Sequence, residues 1–260
     1  MLGLKEWRRQ RVLKRYELPD EIWQWTLAES ALFRGLDSVS CEQLRALTVL
    51  FLHEKQFMAQ DGLELDLSAR TMISAQACLP ILNLGIDYYR GWSSLVVYPS
   101  SFWVRHEIAD AAGVVHSWRE PRAGEAWPEG PVVLSWADIL TSGGGFNVIV
   151  HELAHKLDML NGAADGFPPL HSDMSRKLWT SAFSRAYQDF VEQVEAELET
   201  VFDAYAAENP GEFFAVMSEA FFELPHVLRG QYPQVYAQLK AFYRQDPAGR
   251  IALRNAVGVF

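Results

Sequence analysis

The feature that most constrains this chain of 260 residues is the run His151-Glu152-Leu153-Ala154-His155. Histidines four residues apart stack on one face of a helix, so both imidazoles reach the same point in space. Imidazole nitrogen suits zinc, which it binds at roughly 2.0–2.1 Å. Glu152 is turned about 100° from His151. Its carboxylate therefore misses the metal yet reaches a water beside it, as the general base of a metal-assisted hydrolysis must. The helix itself is expected because Phe146, Val150, Leu153, Leu157 and Leu160 recur at helical spacing and give it one apolar face. With 7 histidines in the chain, such a motif arises by chance in about one chain in a hundred. A metal-binding helix is thus the better reading than two unrelated histidines. The other five (His53, His106, His116, His171 and His226) have no comparable spacing and read as ordinary surface or core residues.

A catalytic zinc takes three protein ligands and keeps one position open. One subclass places a glycine and then a third histidine shortly after the second. Here those positions hold Asp158 and Asn161, so that pattern fails. The third ligand is expected from a carboxylate on a later helix. Asn209-Pro210 reads as a helix start, and Glu212 follows at the third helical position, where it could instead bond back to the Asn209 backbone in a capping box. Glu219 lies seven residues on, on the same face and flanked by apolar residues that make an unpaired carboxylate costly. Spacing alone does not choose between Glu212 and Glu219.

Charge and composition bound the setting. The net charge is −10, from 33 acidic and 23 basic residues, which argues against nucleic acid as a main partner. Two cysteines, Cys41 and Cys78, cannot form a disulfide framework and read as core residues. No apolar run is long enough to span a membrane, and residues 1–16 do not read as a secretory signal. A reducing, cytoplasmic location is expected. Lys5, Arg8, Arg9, Arg11, Lys14 and Arg15 make a basic patch on an acidic protein: a solvated helix, or a docking segment for an acidic partner.

The expected fold class is α+β. Residues 20–60 read as helical, including Phe57 and Met58, and residues 70–90 as a kinked helix or two short ones around Pro80. Strands are expected at 94–98, 113–118 and 130–136, then a loop at Gly143-Gly144-Gly145, then helices to about residue 245. Residues 1–90 are read as a helical N-terminal region packed on a catalytic domain of residues 91–260, the two forming one compact unit. The strand Val132–Trp136 is read as an edge that holds a substrate backbone by strand addition. Asp158, on the histidine face, is either a partner to a ligating histidine or a surface or helix-end residue.

The segments Gly145-Phe-Asn-Val-Ile-Val-His-Glu-Leu-Ala-His-Lys-Leu-Asp158 and Asp203-Ala-Tyr-Ala-Ala-Glu-Asn-Pro-Gly-Glu-Phe-Phe-Ala-Val-Met-Ser-Glu-Ala-Phe-Phe222 resemble the Mlc titration factor A family of bacterial zinc peptidases. Residues 62–99 and Phe242-Tyr-Arg-Gln-Asp-Pro247 match it in style. The resemblance implies a zincin-like domain similar to the catalytic domain of anthrax lethal factor, with a small mixed sheet, an active-site helix and a helical N-terminal region. It implies one zinc per chain on His151, His155 and Glu212, with Glu152 as general base and Tyr205 as hydrogen-bond donor to the developing oxyanion. It implies aminopeptidase-like hydrolysis of peptides through a zinc-activated water, and binding of an Mlc-like transcription repressor. The loop from Met159 to Pro169 departs from the family pattern, which leaves substrate preference open. A regulatory protein that sequesters a repressor, with little or no peptidase activity, is the alternative. A metal-free pseudoenzyme is disfavoured because ligands, base and tyrosine are all present.

Overall fold

A computed structural model describes residues 3–109 and 115–251, the side chains of residues 104–121 excepted. The chain begins with helices α1 (Leu4–Arg15), α2 (Asp20–Glu29) and α3 (Ser38–Glu54), then strand β1 (Gln56–Ala59) and helix α4 (Leu67–Cys78). The central part holds β2 (Ser94–Tyr98), the hairpin β3 (Phe102–Ala109) and β4 (Val115–Arg122), and strands β5 (Gly124–Ala126) and β6 (Val132–Ser135). Helices α5 (Trp136–Leu140), α6 (Val148–Asp158), α7 (Arg176–Glu195), α8 (Pro210–Glu223), α9 (Pro225–Gln231) and α10 (Pro233–Tyr243) follow. The fold is α+β, as expected. Of the anticipated strand at 113–118, residues 113 and 114 lie outside the described residues, and β4 begins at Val115.

The main sheet is mixed, in the order β1-β2-β6-β5. β1 and β6 run parallel to β2, and β5 runs antiparallel to β6. Leu95 and Val97 of β2 register with Val132 and Leu134 of β6, and all four are fully buried. Alternation at period two thus gives the sheet one apolar face. Two expectations need correction. Phe57 and Met58 are not helical. α3 stops at Glu54, Lys55 turns extended, and Gln56 N–H bonds to Ser93 O at 2.7 Å, so pairing with β2 overrides the local helical pattern. Nor is Val132–Trp136 a sheet edge. β6 is flanked on both sides, Trp136 already belongs to α5, and the outer strand beside it is β5.

Five of the longer helices start on a polar side chain that accepts an otherwise unpaired N–H: Asp37 for α3, Asp66 for α4, Asn147 for α6, Ser175 for α7 and Asn209 for α8. In the basic N-terminal helix, Lys5 and Arg9 pair with Asp87, and Arg9 also with Glu54. Arg8, Arg11, Lys14 and Arg15 remain exposed. Cys78 is fully buried and Cys41 half-buried, both as free thiols.

α8 is buried over nearly its whole length, between α6 and the aromatic layer of α7 and α10. Trp179 is the centre of that layer. It stacks on Phe183 at 4.4 Å, meets the Phe242 edge at 5.7 Å, and donates its indole N–H to Gly166 O at 3.0 Å. Trp179→Ala is expected to destabilise the protein by about 3–5 kcal/mol, read as a lowered urea midpoint. A loss below about 1 kcal/mol would mean that this layer does not fold cooperatively with the metal helix.

Candidate active site

Asn147 opens the site. Its side-chain oxygen accepts Val150 N–H at 2.9 Å and caps α6, while its amide group donates to Gln76 at 2.9 Å and to Glu223 at 3.1 Å. Its backbone N–H donates to Glu219 Oε2. One side chain therefore starts the motif helix and joins it to α4 and α8.

From α6, His151 and His155 project to α8 and meet Glu212. The three donor atoms form a small triangle: His151 Nε2 to Glu212 Oε2 is 3.0 Å, His155 Nε2 to Glu212 Oε2 is 3.1 Å, and the two Nε2 atoms are 3.2 Å apart. An ion bound tetrahedrally at roughly 2.0–2.1 Å spaces its donors by about 3.3 Å, so the triangle is the right size for zinc. The chemistry of the donors agrees. His151 Nδ1 lies 2.8 Å from Glu219 Oε1. A carboxylate only accepts, so Nδ1 carries a proton, and in a metal-bound site Nε2 of the neutral ring would turn its lone pair to the ion. The donor atoms of two imidazoles and a carboxylate thus converge on one point, a ligand set that suits a divalent cation.

The structure thus separates the two glutamates that spacing left equal. Glu212 does not close a capping box. Asn209 caps α8 through its side chain, accepting Glu212 N–H at 3.0 Å, and the Glu212 carboxylate turns to the histidines. Glu219, two turns along the same face, meets the back of His151. Burial opposes charge on His151, but the Glu219 and Glu212 carboxylates overcome it and raise its basicity well above the usual range. Glu212 is likewise opposed by burial, and its hydrogen bonds from His151 and His155 hold it well below the usual carboxylate range.

Glu152 is buried against the start of β5. A Cβ on Gly124 would stand 2.4 Å from Glu152 Oε1, so only glycine lets strand and carboxylate pack this closely. Glu152 Oε2 has no hydrogen-bond partner among the described residues. Burial pushes its pKa up to about 7, against the lowering influence of the two histidines. Tyr205 sits on a single 3-10 turn whose start Asp203 caps at 2.9 Å. Its hydroxyl accepts a hydrogen bond from Arg122, and its ring centroid lies 6.2 Å from that of His151. A cavity of about 410 Å³ opens here, lined by Arg122, Gly124, His151, Glu152, Asp203 and Tyr205 among others.

Asp158 is fully buried, which excludes a surface role. It does not bond to a histidine. Oδ2 accepts Gly166 N–H at 2.7 Å, while Oδ1 and the nearby His155 Nδ1 are both left without partners among the described residues. The remaining described histidines stay apart from the cluster: His171 bonds to Phe242 O at 2.8 Å, His226 contacts Arg229, and His53 packs on Tyr16. The side chains of His106 and His116 lie outside the described residues. Sequence reasoning missed Asn147, Gly124 and Arg122. Only Asn147 carried a local signal, as an Asn immediately before an apolar helical stripe.

Comparison with known proteins shows the family of the chain. The profile of a family described as glucose-regulated metallo-peptidase M90 matches residues 4–244. Mlc titration factor A proteins from Salmonella agona and Salmonella gallinarum are each 40% identical to the chain over 245 residues, 92% of this chain and 92% of the relative. The Salmonella typhi protein of that name is 39% identical over the same span.

The raised pKa of Glu152 makes a stability prediction for the metal-free protein. The folded state binds this proton more tightly than the unfolded state does. Its stabilising contribution is therefore complete below pH 4.5 and is lost as pH rises to about 7. Metal-free Glu152→Gln is expected to melt several degrees above metal-free wild type at pH 8.5, with the gap closing toward pH 5. Equal melting temperatures at both pH values would mean that the carboxylate is not desolvated.

Proposed function

Because the chain belongs to the glucose-regulated M90 metallopeptidase family, we propose that it is a zinc-dependent, aminopeptidase-like enzyme with its metal on His151, His155 and Glu212. The family and the α+β fold make it a metallopeptidase with a zincin-like domain. The observation that carries the metal assignment is the triangle of donor atoms, whose edges of 3.0–3.2 Å match a tetrahedral zinc.

Bound there, zinc supplies the Lewis acidity that makes a water nucleophilic near neutral pH and polarises a peptide carbonyl. The rest falls to the chain's own side chains. Glu152, held off solvent against Gly124, takes a proton from the attacking water and delivers it to the leaving amine nitrogen. Tyr205 donates to the substrate oxyanion. Arg122 already donates to the Tyr205 oxygen, which leaves the phenol proton free for that task. Glu219 fixes the tautomer and plane of His151. The outer edge of β5, paired with no further strand among the described residues, lies beside Glu152 and holds the substrate in an extended form.

The name of the relatives supports a second reading: a protein that titrates an Mlc-like repressor, with hydrolysis secondary. Glu152→Gln separates the two, because it removes the base and leaves the surface intact.

Wild type is expected to bind about one zinc per chain and to hydrolyse an alanine-type chromogenic amide. His155→Ala and Glu212→Gln lose both metal and turnover. Glu152→Gln keeps the metal and loses at least about a thousandfold in kcat. Glu219→Gln keeps a site about 10–100-fold weaker. Metal content is measured by atomic emission after dialysis. No stoichiometric zinc and no turnover in zinc-loaded wild type would sink the enzyme and favour the repressor-binding protein.

A further inference from the structure

Lys156 follows directly on the second histidine of the motif, yet it has no part in the chemistry above. It is almost completely buried, 3% exposed. No carboxylate pairs with it among the described residues. A buried ammonium without a counterion is expensive unless its three donors are satisfied. Here they are met by backbone carbonyls: Trp127 O, Gly130 O at 2.8 Å, and Pro128 O at 3.5 Å. The Trp92 ring lies 4.9 Å away as a further neighbour.

All three carbonyls belong to one tight turn, the connection from β5 to β6. The turn is closed by Trp127 N–H to Pro131 O at 3.2 Å and by Gly130 N–H to Trp127 O at 3.3 Å. Glu152 and Lys156 are four residues apart, so they stand one above the other on one face of α6. Glu152 packs on Gly124, the first residue of β5, and Lys156 holds the turn that begins just after its last residue, Ala126. The same helix face therefore grips both ends of the outer strand. β5 has only three residues and, among the described residues, a single neighbouring strand, β6, so its own ladder fixes it weakly.

We propose that Lys156 is a positioning residue: it fastens the β5–β6 turn to the metal helix and so sets the height and register of the substrate-holding edge relative to Glu152. This rests on the reading of β5 as the edge that holds substrate. It assigns Lys156 a role in binding extended peptides, distinct from that of the metal ligands beside it. Its effect should grow with the number of substrate residues laid along the strand. A single-residue amide touches little of that edge, whereas a peptide of several residues uses it fully.

Lys55 provides the control. It too is a buried lysine against Trp92, 3.7 Å from that ring, and it too donates only to backbone carbonyls, those of Tyr89 and Trp92 at 2.6 Å. It donates nothing to the β5–β6 turn, although its charge repels that of Lys156 beside the same Trp92 ring. Lys156→Met and Lys55→Met therefore remove the same chemistry, one from the edge strand and one from elsewhere.

The experiment compares both variants, zinc-loaded, by hydrogen exchange and by kinetics on an alanine amide and a five-residue peptide. In Lys156→Met, amides of residues 124–130 are expected to exchange faster while those of α6 stay protected. KM for the peptide should rise about five- to tenfold more than KM for the amide, the equivalent of one strand hydrogen bond or more. Lys55→Met should show neither effect. Unchanged exchange in residues 124–130 of Lys156→Met would overturn the proposal. So would an equal fall in kcat on both substrates, which would mean that Lys156 acts through the charge of Glu152. So would the same behaviour in Lys55→Met, which would reduce Lys156 to general stability. Exchange reads the turn without turnover, so absence of peptidase activity in wild type would defeat the enzymatic reading and remain distinguishable from failure of this one.

Discussion

The packing of α6 on α8 is the constraint on which the site depends. It brings two imidazole nitrogens and a carboxylate oxygen to within 3.0–3.2 Å of one another around a common point. The cluster is held by groups that do not need a cation. Asn147 caps α6 and donates to Glu219 and Glu223 of α8, and aromatic residues of α7 and α10 press α8 from behind. The scaffold thus holds the donors in place whether or not a metal is bound.

The same helix organises the remaining parts by its periodicity. One face points its histidines at α8. About a quarter-turn round, Glu152 and Lys156 face the outer strand. A third face carries Val150, Leu153 and Leu157 into the core, fully buried. Metal, base and substrate edge are consequently set by one rigid element, and their relative distances do not rely on loops. Tyr205 is the exception. It comes from a short turn after α7, anchored by Asp203 and met by Arg122 from the strand side.

How much was legible in the sequence follows from how local each signal was. The motif helix and its histidine pair are contained in a dozen consecutive residues and form as read, with Val150, Leu153 and Leu157 of the stripe on the helix, while Phe146 precedes it and Leu160 lies in the 3-10 turn that follows it. The two strands at 94–98 and 130–136 carried alternation and turn residues, and both formed at nearly those bounds. Phe57 and Met58 carry a helical pattern, yet their strand exists only through β2, some forty residues later. The central place of β6 is not visible in its own residues, because neighbour order in a sheet leaves no trace in a single strand. Glu212 and Glu219 looked alike because a separation of seven residues keeps both on one helix face. Their difference comes from where along α6 each one lands. Gly124 and Lys156 had no local pattern at all: one is fixed by the approach of a carboxylate, the other by the carbonyls of a turn.

The most direct test of the central claim is X-ray absorption at the zinc edge of protein loaded with one equivalent of zinc. The account predicts a first shell of two imidazole nitrogens and carboxylate oxygen at roughly 2.0–2.1 Å, with one imidazole lost in His155→Ala. A shell containing sulfur at about 2.3 Å, or one unchanged by His155→Ala, would place the metal elsewhere and contradict it.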